Sequence, residues 1–266
     1  MVEMSTAPQA SGVTTRPTFD EIMVAASDGT LGELVVDWLL PLSSGEVRPL
    51  PLVVAGWQAP SNGSWLAESW RRMGWIAASG GGQSESEDIG DVVPGSMVAA
   101  VMVDGDVTLA AGGTVTEVRE DRLWAFGHPS LGAGATTFPL SRAGVVAVLP
   151  NLMSSFKFFT VGEPIGAIVA DRRDGVFGRL GAEAPMVPIS VTVNDRAYSY
   201  RAARHPILMP LLAGYLAHAS HGVDGRTFGD QTVATRVSVR YPDEATASVA
   251  ATFAGSLASV ESSAFA

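Results

Sequence analysis

The sequence predicts an α+β fold that is mainly β, with a small N-terminal β/α subdomain ahead of a larger β-rich domain. Three observations predict it. The 266 residues are 47% hydrophobic and 17% charged, enough apolar material for one generous core or two modest ones. Short apolar runs bounded by Gly, Pro, Ser and Asp follow one another closely from residue 96 to residue 195, the pattern of consecutive strands joined by tight turns. Helical spacing is confined to two stretches, near residues 61–75 and 206–219.

Residues 1–18 are small, polar and proline-bearing, as a linker or trimmed end is. Residues 19–88 form the expected β/α subdomain. "LGELVVDWLLPL" and "RPLPLVVAGW" read as strands, and "SNGSWLAESWRRMGW" reads as one short amphipathic helix capped by Ser61 or Asn62. Its tryptophans, with Trp57 and Trp75, suggest a satellite hydrophobic cluster around that helix. The glycine, serine and acid segment at 78–95 has no apolar period and marks the border.

Residues 89–244 are expected to be the β-rich domain. "SMVAAVMV" turns at Asp104 to Asp106 into "VTLAAGGTVTEV", which turns near Arg119 to Asp121 into "RLWAFGH". "AGVVAVLP", "EPIGAIVAD", "DGVFGRLG", "MVPISVTVND" and "AYSYRAA" continue the series, followed by the helix at 206–219 and a strand "QTVATRVSVRY". Residues 245–266 are rich in alanine and serine and read as a tail ending in a disordered stub.

Composition also excludes. Net charge is −10, and a single lysine, Lys157, accompanies the arginines, so there is no basic stripe to neutralise a phosphate backbone and no nucleic-acid partner is expected. The longest apolar helical stretch falls short of the roughly 20 residues that cross a bilayer and contains Pro210 and Gly214, so no integral membrane segment is expected. The opening "MVEMSTAPQASG" lacks the basic and apolar regions of an export signal. With no cysteine, thiolate metal sites, disulfides and cysteine nucleophiles are excluded. No cofactor and no metal are expected.

The candidate catalytic residue is His128, in "LWAFGHPSLG". Gly127 allows close approach, Pro129 turns the chain out of the strand, and Gly132 and Gly134 permit an open loop. A histidine so placed suits acid–base work, and it equally suits a structural corner.

The stretch from Pro94 to Gly181 resembles the histidine-bearing half of the SpoIVB-type serine peptidase domain. The residues that carry the likeness are "GGTVT" at 112–116, "AFGHP" at 125–129, "SSFK" at 154–157, "GEPIG" at 162–166, "DR" at 171–172 and "GRLG" at 178–181. The resemblance covers about a third of the chain. It implies a chymotrypsin-like β-barrel architecture, a peptide or protein substrate, His128 as general base, and action outside the cytoplasm or at a membrane.

One departure stands out. The family's nucleophile lies in a Gly-x-Ser-Gly segment, and none is present: the serines that precede glycine are Ser11, Ser44 and Ser79, and Gln9, Leu42 and Ala77 stand two residues before them. In many relatives that segment lies upstream of the histidine. The expectation is therefore a peptidase domain completed by an upstream serine-bearing segment and inactive alone, or else a non-catalytic β-rich binding module on the same scaffold. Other residues admit two readings each. Asp171 and Asp174 orient the histidine or form an acid-rich turn; Arg172, Arg173 and Arg179 hold a peptide carboxylate or solvate a loop. Ser154 or Ser155 pairs with Lys157 as a dyad, or is an ordinary strand residue. His218, His221 and Asp224 begin a metal site or complement the end of a helix stopped by Gly222, and His205 packs at the helix start.

Overall fold

The computed structural model describes residues 21, 24–25, 28, 30, 50–55, 65–73, 75–79, 90–132, 134–149, 156–206, 208–223 and 229–266. The fold is mainly β, with a large, almost wholly antiparallel sheet and three helices among the described residues.

Strand β1 (Leu50–Ala55), helix α1 (Trp65–Arg72) and strand β2 (Trp75–Ser79) form a βαβ unit, with β1 and β2 parallel. Helix α1 buries Trp65, Leu66, Ser69 and Trp70 along one stripe. On its other side Glu68 accepts from Arg71 at 2.8 and 2.5 Å and from Arg72 at 2.9 Å. Trp70 stands edge-on to Trp75 and tilted against Tyr215, with ring centroids 6.0 and 5.5 Å away. These tryptophans belong to the main core, which corrects the expectation of a satellite cluster; Trp57 lies outside the described residues. Because β1 also pairs with β4, the strands on both sides of residues 88 and 89 share one sheet.

That sheet contains β3 (Met97–Gly105), β4 (Thr108–Arg119), β5 (Arg122–Ala125), β6 (Gly134–Leu149), β7 (Phe156–Arg172), β8 (Gly175–Leu180), β9 (Met186–Val193) and β10 (Arg196–Ala203). Its order is β2-β1-β4-β5-β8-β7-β6-β3-β10-β9, and β3 also pairs with β4. The pairings therefore return on themselves: β3, β4, β5, β8, β7 and β6 form a closed ring of six antiparallel strands. The ring consists of two three-stranded meanders, β3-β4-β5 and β6-β7-β8, joined at the β3–β6 and β5–β8 seams.

Strand β3 is buried on both faces, which is why "MVAAVMV" is continuously apolar. Val98 and Ala100 enter the main core, while Met97, Ala99 and Val101 meet Ala110, Ala143, Phe159 and Val161 in a second cluster.

Helix α2 (Leu208–Val223) packs beneath the sheet and runs past Gly222, so that glycine does not stop it. Pro210 falls in its first turn, where the missing amide costs little. Strands β11 (Gln231–Arg240) and β12 (Thr246–Gly255) make a separate antiparallel ribbon, followed by helix α3 (Ala258–Phe265). The alanine- and serine-rich end is thus a strand and a helix, not a disordered stub. Its small side chains let α3 approach α2 closely: a Cβ on Gly214 would stand 2.7 Å from the Ser263 carbonyl and from the Trp65 ring, and Trp65 Nε1 donates to Ser263 Oγ at 3.1 Å. No helix among the described residues is long and apolar enough to cross a membrane.

Candidate functional site

The His128 loop connects the two meanders. Strand β5 ends at Ala125 because Phe126 and Gly127 both adopt left-handed backbone, with φ of 72° and 69°. For a phenylalanine this conformation is strained and must be imposed by its surroundings. Two contacts impose it. The Phe126 amide donates to the Thr114 carbonyl at 2.9 Å, and its ring covers Gly113 so closely that a Cβ there would overlap it. Gly112 next door receives Phe159 in the same manner, a Cβ standing 2.5 Å from the ring. The paired glycines of "GGTVT" therefore seat two aromatic rings.

His128 is half-buried and lies edge-on to Phe126, with ring centroids 6.1 Å apart. Its Nδ1 is 2.8 Å from the Pro129 carbonyl oxygen. A carbonyl can only accept, so Nδ1 carries the proton and Nε2 keeps its lone pair in the neutral ring.

Asp171, at the end of β7, is 1% exposed. Its Oδ1 accepts from the Ser130 amide at 2.8 Å and its Oδ2 from the Leu131 amide at 2.5 Å. This corrects the acid-rich-turn reading for Asp171, which is a buried tie for the His128 loop; Asp174 is exposed and does sit in the β7–β8 turn. Lys157 Nζ donates to Thr114 Oγ1 at 2.8 Å, on the residue whose carbonyl holds Phe126. Ser154 and Ser155 lie outside the described residues.

The remaining candidates are elsewhere. Arg172 lies over the Phe177 ring at 5.7 Å, Arg179 pairs with Asp121 at 3.3 Å, and Arg173 is exposed. His205 packs at the start of α2 as its position suggested, stacked on Phe138, and its Nδ1 also accepts from the Leu208 amide at 3.3 Å, which caps the helix. Burial holds its pKa below the usual histidine value. His218 is buried in α2 and is pushed down to about 4 by burial, with His221 adding to the effect. Asp224 lies outside the described residues, and among those described no three His, Asp or Glu side chains stand together as a metal site would need. A cleft lined by Gly90, Asp91, Ser96, Met97, Arg142 and Val145 shares no residue with the His128 loop.

Sequence reasoning singled out His128 and offered Asp171 as an acid that orients it or forms a turn, without indicating that the acid is buried against the loop's own amides. The available signal was an acid closing an apolar strand in "AIVAD", where a side chain alternating inward is buried and must find donors. No family model, no curated protein and no solved structure matches the chain.

Proposed function

We propose that this chain is the histidine-bearing part of a SpoIVB-type serine peptidase with a chymotrypsin-like barrel, in which His128 is the general base for hydrolysis of a peptide bond. The observation that carries the reading is convergence: Thr114 from "GGTVT", Phe126 and His128 from "AFGHP", Lys157 from "SSFK" and Asp171 from "DR" interlock around one loop. They come from four separated stretches of sequence. The closed six-stranded ring supports the barrel architecture, since chymotrypsin-type sites stand on β-barrels.

In this reading Nε2 of His128 takes the proton of a serine hydroxyl as its oxygen attacks the substrate carbonyl, and returns that proton to the leaving amine. The serine, and the glycine amides that bind the oxyanion, come from a complementing upstream segment, because this sequence has no Gly-x-Ser-Gly. Such a site acts outside the cytoplasm or at a membrane.

The test is co-expression of this chain with the protein-coding sequence upstream of it, followed by fluorophosphonate labelling. Labelling of a serine in the upstream segment that needs this chain, and that is lost in His128→Gln, is the expected result. Absence of labelling, with peptide libraries left uncut, would overturn the reading in favour of a non-catalytic β-rich binding module. That second reading is favoured by one observation, the missing nucleophile.

A further inference from the structure

We propose that Asp171 is the carboxylate partner of His128, coupled to the imidazole through the Pro129–Ser130 peptide group instead of by direct contact. The functional weight of this inference rests on the reading of His128 as a base, whereas its geometry stands apart from that reading.

One peptide plane carries both bonds. Its carbonyl oxygen, from Pro129, accepts from His128 Nδ1 at 2.8 Å, and its N–H, from Ser130, donates to Asp171 Oδ1 at 2.8 Å. A carboxylate bonded to an amide N–H draws the amide toward its charge-separated resonance form and increases the electron density on the carbonyl oxygen. That oxygen then holds the imidazole N–H more strongly, as hydrogen bonds in a chain reinforce one another. The second carboxylate oxygen accepts from the Leu131 amide at 2.5 Å, which prevents the group from rotating out of line.

The anchor is rigid and dry. Asp171 pairs with Gly134 on β6 and Val176 on β8, so its backbone is held from both sides, and at 1% exposure no bulk water competes for its oxygens. In a serine peptidase triad a carboxylate bonded directly to Nδ1–H selects the tautomer and steadies the imidazolium. Here the peptide group stands between the two. When Nε2 gains a proton, Nδ1 keeps its own and the new positive charge faces a polarised carbonyl. Asp171 is accordingly a positioning residue, acting on substrate only through His128.

The experiment reads the tautomer directly, on the full chain labelled with nitrogen-15. Long-range proton–nitrogen correlation spectra of the histidine rings report which nitrogen is protonated, and His128→Gln assigns the signal. The wild type should show His128 as the Nδ1–H form. Two variants cut the relay at different points: Asp171→Asn removes the charge, and Ser130→Pro removes the linking N–H while leaving Asp171 and its Leu131 bond in place. Each should lower the ratio of Nδ1–H to Nε2–H forms by up to about twofold, the loss of a reinforcement of roughly 10–30% on a hydrogen bond that itself remains, with unchanged amide signals in β8 and α2 showing that the fold is kept. A wild-type ring in the Nε2–H form, or a folded variant of either kind with an unchanged ratio of Nδ1–H to Nε2–H, would overturn the proposal. Since no substrate or nucleophile enters this measurement, an Nδ1–H ring together with failed serine labelling overturns the peptidase reading and leaves the relay standing. The opposite pair of results overturns only the relay.

Discussion

Replacing Gly113 with alanine tests how the His128 loop is held. A Cβ at that position would overlap three atoms of the Phe126 ring, Cγ, Cδ2 and Cε2, whereas carbon atoms settle at about 3.5–4.0 Å. The ring has little room to yield, because the Phe126 amide is bonded to Thr114 and its φ is already 72°. Overpacking of this kind costs about 1–3 kcal/mol. Against it stands the smaller unfolded-state freedom of alanine, about 0.4–1 kcal/mol, available because Gly113 does not have positive φ. The net expectation for Gly113→Ala is a loss of about 1–2 kcal/mol, or about 2–4 °C in Tm for each kcal/mol. In a Phe126→Ala background the ring is gone, so the same substitution should be neutral or slightly stabilising. Thermal and urea unfolding of the four proteins in this double-mutant cycle measure the coupling. If Gly113→Ala costs as much without the ring as with it, the account of the loop is wrong.

Three further outcomes are expected. His218 is held near 4 in the folded protein against an ordinary value of about 6.5, so the unfolded chain binds the extra proton first. The stability this contributes is fully present above about pH 6.5 and falls by about 3 kcal/mol as the pH drops to about 4; the urea midpoint followed from pH 7 to 4 should be flatter in His218→Gln. Gly166→Ala drives a Cβ into the Arg179 carbonyl on β8 and should cost about 3 kcal/mol or more, while Gly132→Ala has open space, meets only the strain of φ 67°, and should cost about 1–2 kcal/mol; chemical denaturation separates the two. Ser263→Ala removes the acceptor of the Trp65 indole and should cost about 1–3 kcal/mol with a change in tryptophan emission, and a wild-type melting curve would contradict the docking of α3.

The strand content was legible because alternation and turn residues are local signals. Gly105 with φ 115° and Glu120 with φ 54° sit at the turns that Asp104 to Asp106 and Arg119 to Asp121 announced. What failed depended on contacts distant in sequence. "RLWAFGH" reads as strand to its end because phenylalanine favours strands, yet Gly113 and Thr114 bend Phe126 away at Ala125. The final segment resembles a loose tail because alanine and serine carry little hydrophobic signal; against Gly214 their small size is what permits close helix packing. Of the candidate site, His128 was visible through its glycine and proline neighbours. Asp171 was visible as an acid that could orient the histidine, but its attachment was not, since its partners are the amides of Ser130 and Leu131, and backbone donors leave no trace in residue type.

The closed ring also bears on the order in which the protein assembles. Each meander can form from neighbouring strands, but the seams need remote partners, Met97 with Ala143 and Arg122 with Arg179, and such pairings form slowly. The loop bearing His128 bridges the meanders, and Asp171 reaches it from the second one. A chain with both meanders formed and the seams still open therefore has its strands and lacks its candidate site. Hydrogen exchange at Ser130 and Leu131 should accordingly follow the opening of the β5–β8 seam, so the histidine is placed last in folding and released first when the ring parts.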